Sequence, residues 1–308
     1  MNVLSLFDGI SCARLAIERA GLSVDNYFCS EVDKSCVALS AERFPDSVQL
    51  GDVRSVTRKS LPKIDLLIGG SPCQDLSNAF RGDGLSGSRS ALFFEFVRLL
   101  KALKPTYFVL ENVRNNQQHL MDEAVGVKGV VMNSSKFSAQ FRPRCYWTNI
   151  RINSPHFEDK RVISDIIEDR VDELYFLDDE ISRATKKHLS HEPENTSSGI
   201  LKLGEISRDL LKDNERQRRV YSIKGKSPTL LARADTPKIL VDGRIRKLTP
   251  LECERLQCVP DNYTMGFSRT SRYKMIGNGF TVGVISHILE NPAIGSNDAH
   301  ERQLRLSI

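Results

Sequence analysis

Hydrophobic and polar residues alternate in short blocks over the first half of the chain. Apolar runs of strand length lie at 3–6, 26–30, 48–50, 64–68 and 107–110. Apolar residues with helical spacing lie at 12–20, 33–43 and 91–103. Because strands that alternate with helices build βαβ units, the pattern predicts an α/β fold with a mixed, mostly parallel sheet. Two further candidate strands that complete the sheet lie at 129–133 and 144–149.

The pattern changes near residue 150. Residues 151–246 are polar and irregular, with several turn signals, and predict a second, smaller domain. A helix then begins cleanly, because Thr249 precedes Pro250 and Glu252 in a capping-box arrangement. The expected division is a first domain built from 1–150 and 247–292, a second domain at 151–246, and a polar tail at 293–308.

Composition places the chain among ordinary globular proteins. Its 308 residues are 40% hydrophobic and 27% charged, and no apolar run approaches the length of a membrane span. The first residues contain no basic segment, so no signal peptide is expected. Seven cysteines without a Cys-x-x-Cys pair and six scattered histidines predict neither disulfides nor a metal site. We therefore expect a soluble, cytoplasmic protein without a metal.

The net charge of +5 is unevenly distributed along the chain. Ten acidic residues lie at 158–180, which predicts a solvated helical face directed away from any polyanion. Seven basic residues lie at 208–226, a run that fits either contact with a phosphate backbone or an ordinary exposed helix. Charge alone therefore leaves a nucleic-acid partner open.

Polar residues and a glycine mark the carboxyl ends of three predicted strands. Gly9 follows the first strand, Glu31 ends the second, and Asp52 follows the third. The carboxyl ends of parallel strands meet at one edge of a sheet, which is where nucleotide-like ligands bind. A carboxylate at Glu31 can accept both ribose hydroxyls, and Asp52 can reach an adenine amino group. These three strand ends predict an adenosine site.

The glycine pattern narrows the choice of ligand. Only Gly9 is present where a dinucleotide fold has Gly-x-Gly-x-x-Gly, and no complete Walker motif occurs. An adenosine ligand without phosphates indicates S-adenosylmethionine. The missing glycines also argue against an NAD-dependent dehydrogenase.

A cysteine follows a fourth predicted strand. The segment Gly69-Gly70-Ser71-Pro72-Cys73-Gln74 comes directly after the apolar run 65–68. Cys73 at a strand end is placed for a nucleophile, which requires the thiolate form; a packed, unreactive thiol is the alternative. A methyl donor beside this cysteine suggests methylation of pyrimidine carbon 5. That carbon becomes nucleophilic only after a thiolate adds at carbon 6.

Such a reaction also needs an acid and hydrogen-bond donors to the base. Glu111, in Leu110-Glu111-Asn112-Val113, ends another strand and is placed to assist addition near ring nitrogen 3; burial is expected to raise its pKa. Arg142 and Arg144, in Gln140-Phe141-Arg142-Pro143-Arg144, offer guanidinium donors at alternate positions on one strand face. An ordinary surface pair is the alternative for the two arginines.

These segments resemble the cytosine-5 DNA methyltransferase family over residues 1–290, closest in motif style to stand-alone phage and bacterial enzymes and the mammalian de novo branch. The matching segments occur in the family's order: Phe7-Asp8-Gly9, Glu31, Gly51-Asp52-Val53, Pro72-Cys73-Gln74, Glu111-Asn112-Val113, Gln140-x-Arg142-x-Arg144 and Gly277-Asn278-Gly279. Residues 248–257 resemble the sequence ahead of the last motif. The departures are Ser11-Cys12 and Cys258 where glycine is usual, and Val32 where an aromatic residue is usual.

The resemblance implies a Rossmann-like S-adenosylmethionine-dependent methyltransferase domain and a small, irregular target-recognition domain at 151–246. It implies Cys73 as nucleophile and Glu111 as acid, while Arg142 and Arg144 hold and activate the base. It assigns to the methyl donor Phe7, Asp8, Gly9, Ile10, Glu31, Val32, Asp52, Val53, Pro72, Leu92 and Asn278. Residues 75–90 look like the mobile loop that closes on DNA, and the last helix is expected to fold back onto the first domain.

The activity that follows is methyl transfer from S-adenosylmethionine, which leaves S-adenosylhomocysteine, to carbon 5 of a cytosine flipped out of duplex DNA. The same chemistry on tRNA is the main alternative, but 151–246 is long enough for major-groove readout and favours DNA. A non-catalytic DNA-binding relative is a third possibility, against which the intact Pro-Cys and Glu-Asn-Val segments argue. We expect a cytoplasmic monomer, encoded by a bacterium or phage and not bound to membranes. Any cognate restriction endonuclease is expected to be a separate protein.

Overall fold

The computed structural model describes residues 1–71, 91–115, 118–155, 158–190, 194–195, 198–291 and 294. The chain divides into two compact units. The first unit comprises Met1–Met132, Pro143–Pro155 and Val284–Ile308, and the second comprises Asn133–Arg142 and His156–Gly283. A division into compact units does not show what either unit does, so the division into a catalytic and a target-recognition domain stays a prediction.

A mixed sheet organises the first unit. Its strands are β1 (Asn2–Leu6), β2 (Asn26–Ser30), β3 (Val48–Gln49), β4 (Leu66–Gly70), β5 (Tyr107–Val113), β6 (Val130–Asn133) and β7 (Pro143–Thr148). Across the described residues they lie in the order β3-β2-β1-β4-β5-β7-β6. Strands β1 to β5 are parallel to one another, whereas β7 runs antiparallel to β5. The predicted mixed, mostly parallel sheet is confirmed.

Helices follow the strands of this sheet. They are α1 (Cys12–Arg19), α2 (Lys34–Arg43), α3 (Ala91–Leu103) and α4 (Gln118–Val125). In α3, Phe93, Phe96 and Leu99 recur at intervals of three residues, and each is fully buried. They share one core cluster with Leu67 and Leu110 of the sheet. This apolar stripe explains why the segment folds as a helix against the sheet.

The end of β4 lies very close to its neighbours. A Cβ atom at Gly69 would lie 2.9 Å from the Leu6 carbonyl oxygen and 3.2 Å from Cδ2 of Phe96. Only glycine therefore allows β1 and α3 to approach β4 at this point. This packing fixes the backbone that leads into Ser71, the last described residue before the segment that contains Cys73.

The second unit contains a smaller sheet. Its strands in the described residues are β8 (Glu194–Asn195), β9 (Leu201–Glu205), β10 (Arg219–Ser222), β11 (Lys238–Val241) and β12 (Arg244–Lys247), in the order β12-β11-β10-β9-β8. Its helices are α5 (Asp179–Lys186), α6 (Glu215–Arg218), α7 (Pro250–Leu256) and α8 (Arg269–Asn278), and α9 (Val282–Leu289) follows in the chain. A buried cluster that includes Ile239, Leu256 and Ile276 joins the sheet to α7 and α8. Within the described ranges, no helix has the length and hydropathy needed to cross a membrane.

The start of α7 forms as its sequence predicts. Thr249 Oγ1 accepts a hydrogen bond from the Glu252 N–H (3.2 Å), and the Glu252 carboxylate accepts one from the Thr249 N–H (2.9 Å). The same carboxylate pairs with Arg246 at 2.7 and 2.8 Å, and both side chains are at most 1% exposed. This buried ion pair ties β12 to α7. Removing either partner would leave the other charge buried and unpaired.

The acidic run at 158–180 does not form the predicted helical face. It contains two short 3₁₀ turns, Ile163–Asp165 and Glu173–Tyr175, and α5 begins only at Asp179. Ile163 and Ile166 are buried in the core of the second unit, so core contacts rather than charge pairs along a helix hold this segment. The basic run at 208–226 contains the four-residue α6 and the strand β10.

Candidate active site

The turn that connects β1 to α1 has an unusual backbone. Phe7, Gly9 and Ser11 all have left-handed φ angles, of 57°, 59° and 56°. Glycine adopts this conformation freely, whereas Phe7 and Ser11 carry a backbone cost that surrounding contacts must offset. The Asp8 N–H donates to the Ser30 carbonyl (3.1 Å), and the Ser11 N–H donates to the Asp8 carbonyl (3.1 Å). These hydrogen bonds hold the main chain of the turn.

A buried polar network supports the same turn through side chains. The Asp8 residue is 4% exposed, and its carboxylate accepts hydrogen bonds from the Tyr27 hydroxyl (2.6 Å) and the Ser11 hydroxyl (2.7 Å). Ser11 Oγ also lies 2.7 Å from Ser40 Oγ in α2. Asp8 therefore ties the turn to β2 and α2. Since its carboxylate is buried, any contact of Asp8 with a methyl donor has to come from its main chain.

The charge of Asp8 makes its contribution to stability depend on pH. Burial raises the pKa of Asp8 above its ordinary value, and hydrogen bonds from Tyr27 and Ser11 offset only part of this effect. The nearby Glu31 carboxylate raises the pKa further. The folded chain therefore binds this proton more tightly than the unfolded chain. The contribution to stability is greatest below the unfolded pKa and is lost as pH rises through the raised folded pKa.

We therefore expect Asp8→Asn to gain stability relative to the native chain as pH rises from about 4 to 8. Asparagine keeps the size of the side chain and can still accept the Tyr27 hydroxyl, so the charge is the main change. Melting temperatures measure the difference, at about 2–4 °C per kcal/mol. As a control, Asp159→Asn should show no trend over this range. Burial raises the pKa of Asp159, but hydrogen bonds from Arg161 hold it below its ordinary value, so the contribution of its charge to stability is lost only as pH falls below about 4. A difference for Asp8→Asn that does not change with pH would contradict the prediction.

Glu31, directly after β2, is held by three main-chain N–H groups. Its Oε2 accepts from Gly9 (2.8 Å), and its Oε1 accepts from Val32 (2.7 Å) and Asp33 (2.8 Å). The carboxylate thus joins the β1–α1 turn to the end of β2 while it stays partly exposed. A carboxylate with a fixed orientation at this edge suits the pair of ribose hydroxyls predicted from the sequence.

Asp52, after β3, forms an ion pair that the sequence analysis did not predict. The Arg54 guanidinium donates to both carboxylate oxygens at 2.5–3.1 Å, and the Arg54 N–H donates to Oδ1 at 3.0 Å. These hydrogen bonds hold the pKa of Asp52 below its ordinary value. Asp52 is thus an anionic acceptor, and an adenine amino group has to share its oxygens with Arg54.

The other residues of the first unit that the resemblance assigns to the methyl donor differ in their exposure to solvent. Ile10 and Val53 are buried, at 0% and 3% exposed, so only their main chains can face a ligand. Phe7 and Leu92 are half-buried and pack against the core cluster. Val32 is 69% exposed and follows Glu31 directly, so it offers an open apolar surface at the end of β2.

The residues assigned to the methyl donor suit a nucleoside without phosphates. Glu31 and Asp52 follow the ends of the neighbouring strands β2 and β3, and two carboxylates at one edge attract hydroxyl and amino groups but repel phosphate. S-adenosylmethionine has these groups. In the part of the chain that the structure describes, no group of three or more His, Cys, Asp or Glu side chains is arranged to hold a metal ion.

Glu111 lies on β5 beside the end of β4. The strand register pairs Glu111 with Gly70, three residues before Cys73. Glu111 Oε1 lies 3.1 Å from Nε of Arg144 on β7, and each side chain is 13% exposed. A largely buried, charge-assisted contact of this kind fixes the orientation of both groups. The structure thus brings together two of the predicted catalytic residues.

Asn112, the residue after Glu111, holds the end of β4. Its side-chain amide donates to the carbonyl (3.2 Å) and the hydroxyl (2.9 Å) of Ser71, and Asn112 is 1% exposed. Pro72 and Cys73 follow Ser71 in the chain and lie outside the described residues. The assignment of Cys73 as nucleophile therefore stays a prediction, as does the loop at 75–90.

Arg142 does not lie on a strand with Arg144. Strand β7 begins at Pro143, and the Arg142 guanidinium donates to main-chain carbonyls within the second unit. Asn278, which the resemblance assigns to the methyl donor, is exposed at the end of α8 in the same unit. The roles of Arg142 on the base and of Asn278 on the donor stay predictions.

Two side chains that shape this edge are absent from the sequence-based prediction. The hydrogen bond from Tyr27 to Asp8 spans 19 residues and depends on the pairing of β1 with β2, which no local spacing reveals. Arg54 was detectable in principle, because an Asp side chain commonly binds the backbone N–H two residues later in the chain, which here is that of Arg54.

A comparison with known protein families matches residues 1–292 to the C-5 cytosine-specific DNA methylases. The chain belongs to this family. The Type II methyltransferase M.HhaI of Haemophilus parahaemolyticus is 28% identical over 324 residues, which cover 96% of this chain and 95% of that relative. The Type II methyltransferase M.NlaX of Neisseria lactamica is 27% identical over 326 residues, with 98% and 99% covered. Methylases of this family use S-adenosylmethionine, the ligand that the strand ends predict.

Solved structures show the same fold. The Entamoeba histolytica methyltransferase EhMeth aligns with this methylase at a TM-score of 0.70 and 16% identity, over 94% of this chain and 97% of that one. At this level of identity the likeness concerns the fold. It supports the Rossmann-like α/β architecture of the methylase.

Proposed function

We propose that this methylase transfers a methyl group from S-adenosylmethionine to carbon 5 of a cytosine in duplex DNA. The observation that carries the proposal is the Glu111–Arg144 ion pair, which lies beside the end of β4 and within the same sheet as the strand ends that suit a nucleoside. An acid and a guanidinium held together in a largely buried position can bind and activate a pyrimidine ring.

The strand ends are proposed to hold the donor. Bound S-adenosylmethionine supplies an electrophilic methyl group on a sulfonium. Glu31 accepts the ribose hydroxyls, Asp52 accepts the adenine amino group, and Val32 covers the purine ring. The network around Asp8 keeps the β1–α1 turn in the conformation that this arrangement needs.

The chemistry on the base is proposed to follow a covalent route. The Cys73 thiolate adds to carbon 6, which forms a carbon–sulfur bond and shifts the electron pair of the ring double bond toward carbon 5. Glu111 holds a proton at ring nitrogen 3, while Arg144 orients Glu111 and donates to the base oxygen. Carbon 5 then accepts the methyl group. Loss of the carbon 5 proton to a base in solution restores the double bond and expels the thiolate.

Duplex DNA is proposed as the substrate in preference to tRNA. The family match is to DNA methylases, and both relatives named above are called Type II methyltransferases. We place target recognition in residues 151–246. We further propose that the methylase acts as a monomer in the cytoplasm of a bacterium or of a phage-infected cell, and that any cognate restriction endonuclease is a separate protein.

We expect the purified chain to label duplex DNA when it is incubated with S-adenosylmethionine that carries a labelled methyl group. The label should lie on carbon 5 of cytosine, which hydrolysis of the DNA and chromatography of the bases would show. Parallel reactions contain tRNA in place of DNA. Labelling of tRNA without labelling of DNA would contradict the proposed substrate, and labelling of neither would contradict the proposed activity.

A further inference from the structure

The Arg142 guanidinium joins two segments that lie far apart in the chain. Arg142 is 5% exposed. Its Nη1 donates to the Leu230 carbonyl (3.1 Å), and its Nη2 donates to the carbonyls of Gly277 (3.0 Å) and Gly279 (3.3 Å). All four residues belong to the second unit. The side chain therefore links the turn at Leu230 to the turn at Gly277–Gly279, which forms the C-terminal end of α8.

Gln140, two residues earlier, engages the same two turns. Its Oε1 accepts a hydrogen bond from the Leu230 N–H (2.9 Å), and its Nε2 donates to Gln257 Oε1 (3.0 Å). Gln257 in turn donates from Nε2 to the Gly279 carbonyl (3.0 Å). Both glutamines are fully buried. The Gly279 carbonyl thus accepts hydrogen bonds from both Arg142 and Gln257. Gln140 accepts from the Leu230 N–H, and Arg142 donates to the Leu230 carbonyl.

The two turns also touch through their backbones. A Cβ atom at Gly277 would lie 2.3 Å from the Leu231 carbonyl oxygen and 2.7 Å from Cα of Ala232. No larger residue fits at Gly277 without moving the turn at 230–232. Asn278, the next residue, is exposed. The position of its backbone is therefore set by contacts that Arg142 completes.

We infer that Arg142 is a positioning residue that fastens the turn at 229–232 to the Gly277–Gly279 turn, instead of a ligand of the target base. A guanidinium that left this place to reach a base would leave two main-chain carbonyls without a donor, those of the buried residues Leu230 and Gly277, while Gln257 would still donate to the Gly279 carbonyl. Buried acceptors without partners are strongly unfavourable. Arg144, whose Nε lies 3.1 Å from the Glu111 carboxylate, keeps the base-activating role in the proposed function. The inference rests on that proposed function only for its kinetic measurement.

Two substitutions at Arg142 separate positioning from base activation. Lysine can still donate to several carbonyls, as Lys226 of this unit does to those of Ser135, Ser138 and Asp159 at 3.0, 3.0 and 2.7 Å. We expect Arg142→Lys to keep the methyl-transfer rate within about tenfold of the native rate. Arg142→Met removes every donor, and we expect a loss of about 100-fold or more, the effect of misplacing a site by about 1 Å. Arg144→Lys, the matched control, should lose the rate despite its conserved charge, since lysine lacks the planar fork.

Hydrogen exchange at the backbone gives a measurement that base activation does not affect. We expect Arg142→Met to lose protection in peptides that cover 229–234 and 276–281, with Arg142→Lys close to native. Gln257→Met, which removes the other donor to the Gly279 carbonyl, should give a similar local loss at 276–281.

The inference is wrong if Arg142→Lys loses as much rate as Arg144→Lys while both segments keep native protection. It is also wrong if Arg142→Met folds with native protection in both segments. Should Arg142→Met fail to fold, the rate of Arg142→Lys compared with that of Arg144→Lys, together with its exchange in both segments, still decides the question. Absence of methyl transfer by the native chain would overturn the proposed function and leave the exchange measurement intact.

Discussion

Substitution of Cys73 by alanine is expected to abolish methyl transfer to DNA. Without the thiol no bond forms at carbon 6, so carbon 5 keeps the low nucleophilicity of an aromatic carbon. We expect the transfer rate to fall by at least about 10⁴-fold, the scale on which loss of a nucleophile acts. The affinity for S-adenosylmethionine should stay near native, because Glu31 and Asp52 are retained. Single-turnover transfer of labelled methyl groups and equilibrium binding of the donor measure the two quantities.

A second cysteine provides a matched control. Cys258→Ala removes a thiol that contacts the Phe137 carbonyl at 3.5 Å in the second unit, and we expect a rate near native. DNA with fluorine at carbon 5 of the target cytosine tests the covalent step, since no proton can leave that carbon and the carbon–sulfur bond should survive denaturation. A complex of this kind formed by Cys73→Ala, or transfer by Cys73→Ala at the native rate, would refute the covalent route.

Substitution of Glu111 by glutamine is expected to slow methyl transfer by about 10²–10⁴-fold, the usual contribution of a positioned acid. Glutamine keeps the shape of the side chain but cannot hold a transferable proton, and it leaves the Arg144 guanidinium without a charged partner at 3.1 Å. Formation of the fluorocytosine adduct should slow in parallel, because the acid assists the addition itself. Donor binding should stay near native.

Glu95→Gln is the control for this substitution. Glu95 also pairs with an arginine, Arg98, at 2.6 Å, but the pair lies on α3. We expect transfer and adduct formation near the native rates. If Glu111→Gln formed the adduct as fast as the native chain, Glu111 would not assist the addition, and its contact with Arg144 would be its only role.

The elements with strong local signals were predictable in position as well as type. Strand β2 occupies Asn26–Ser30 and α3 occupies Ala91–Leu103, the predicted bounds in both cases. An apolar run of strand length and a three-to-four-residue apolar period are properties of the segment itself. The acidic run at 158–180 has only a charge pattern, and charge without an apolar stripe does not specify a helix. Burial of Ile163 and Ile166 decides its structure instead.

The candidate site likewise contains some features that the sequence predicts and others that it does not. Glu31, Asp52 and Glu111 were predictable at one edge of the sheet, because parallel strands present their carboxyl ends together. The contacts of Arg142 were not predictable. Its spacing from Arg144 predicts a shared strand face, yet β7 begins only at Pro143 and the Arg142 guanidinium meets carbonyls of the second unit.

By itself, the sequence of this methylase determined which chemical groups follow which strands, since apolar periodicity and the order of strands and helices are local properties of the chain. Only the tertiary structure decided which partner each polar group meets: Asp8 accepts from Tyr27, Glu111 pairs with Arg144, and Arg142 donates to carbonyls 88 and 135 residues away. A hydrogen bond forms only within about 3 Å and over a narrow range of angles. That precision arises when whole elements pack together, and no spacing along the chain encodes it.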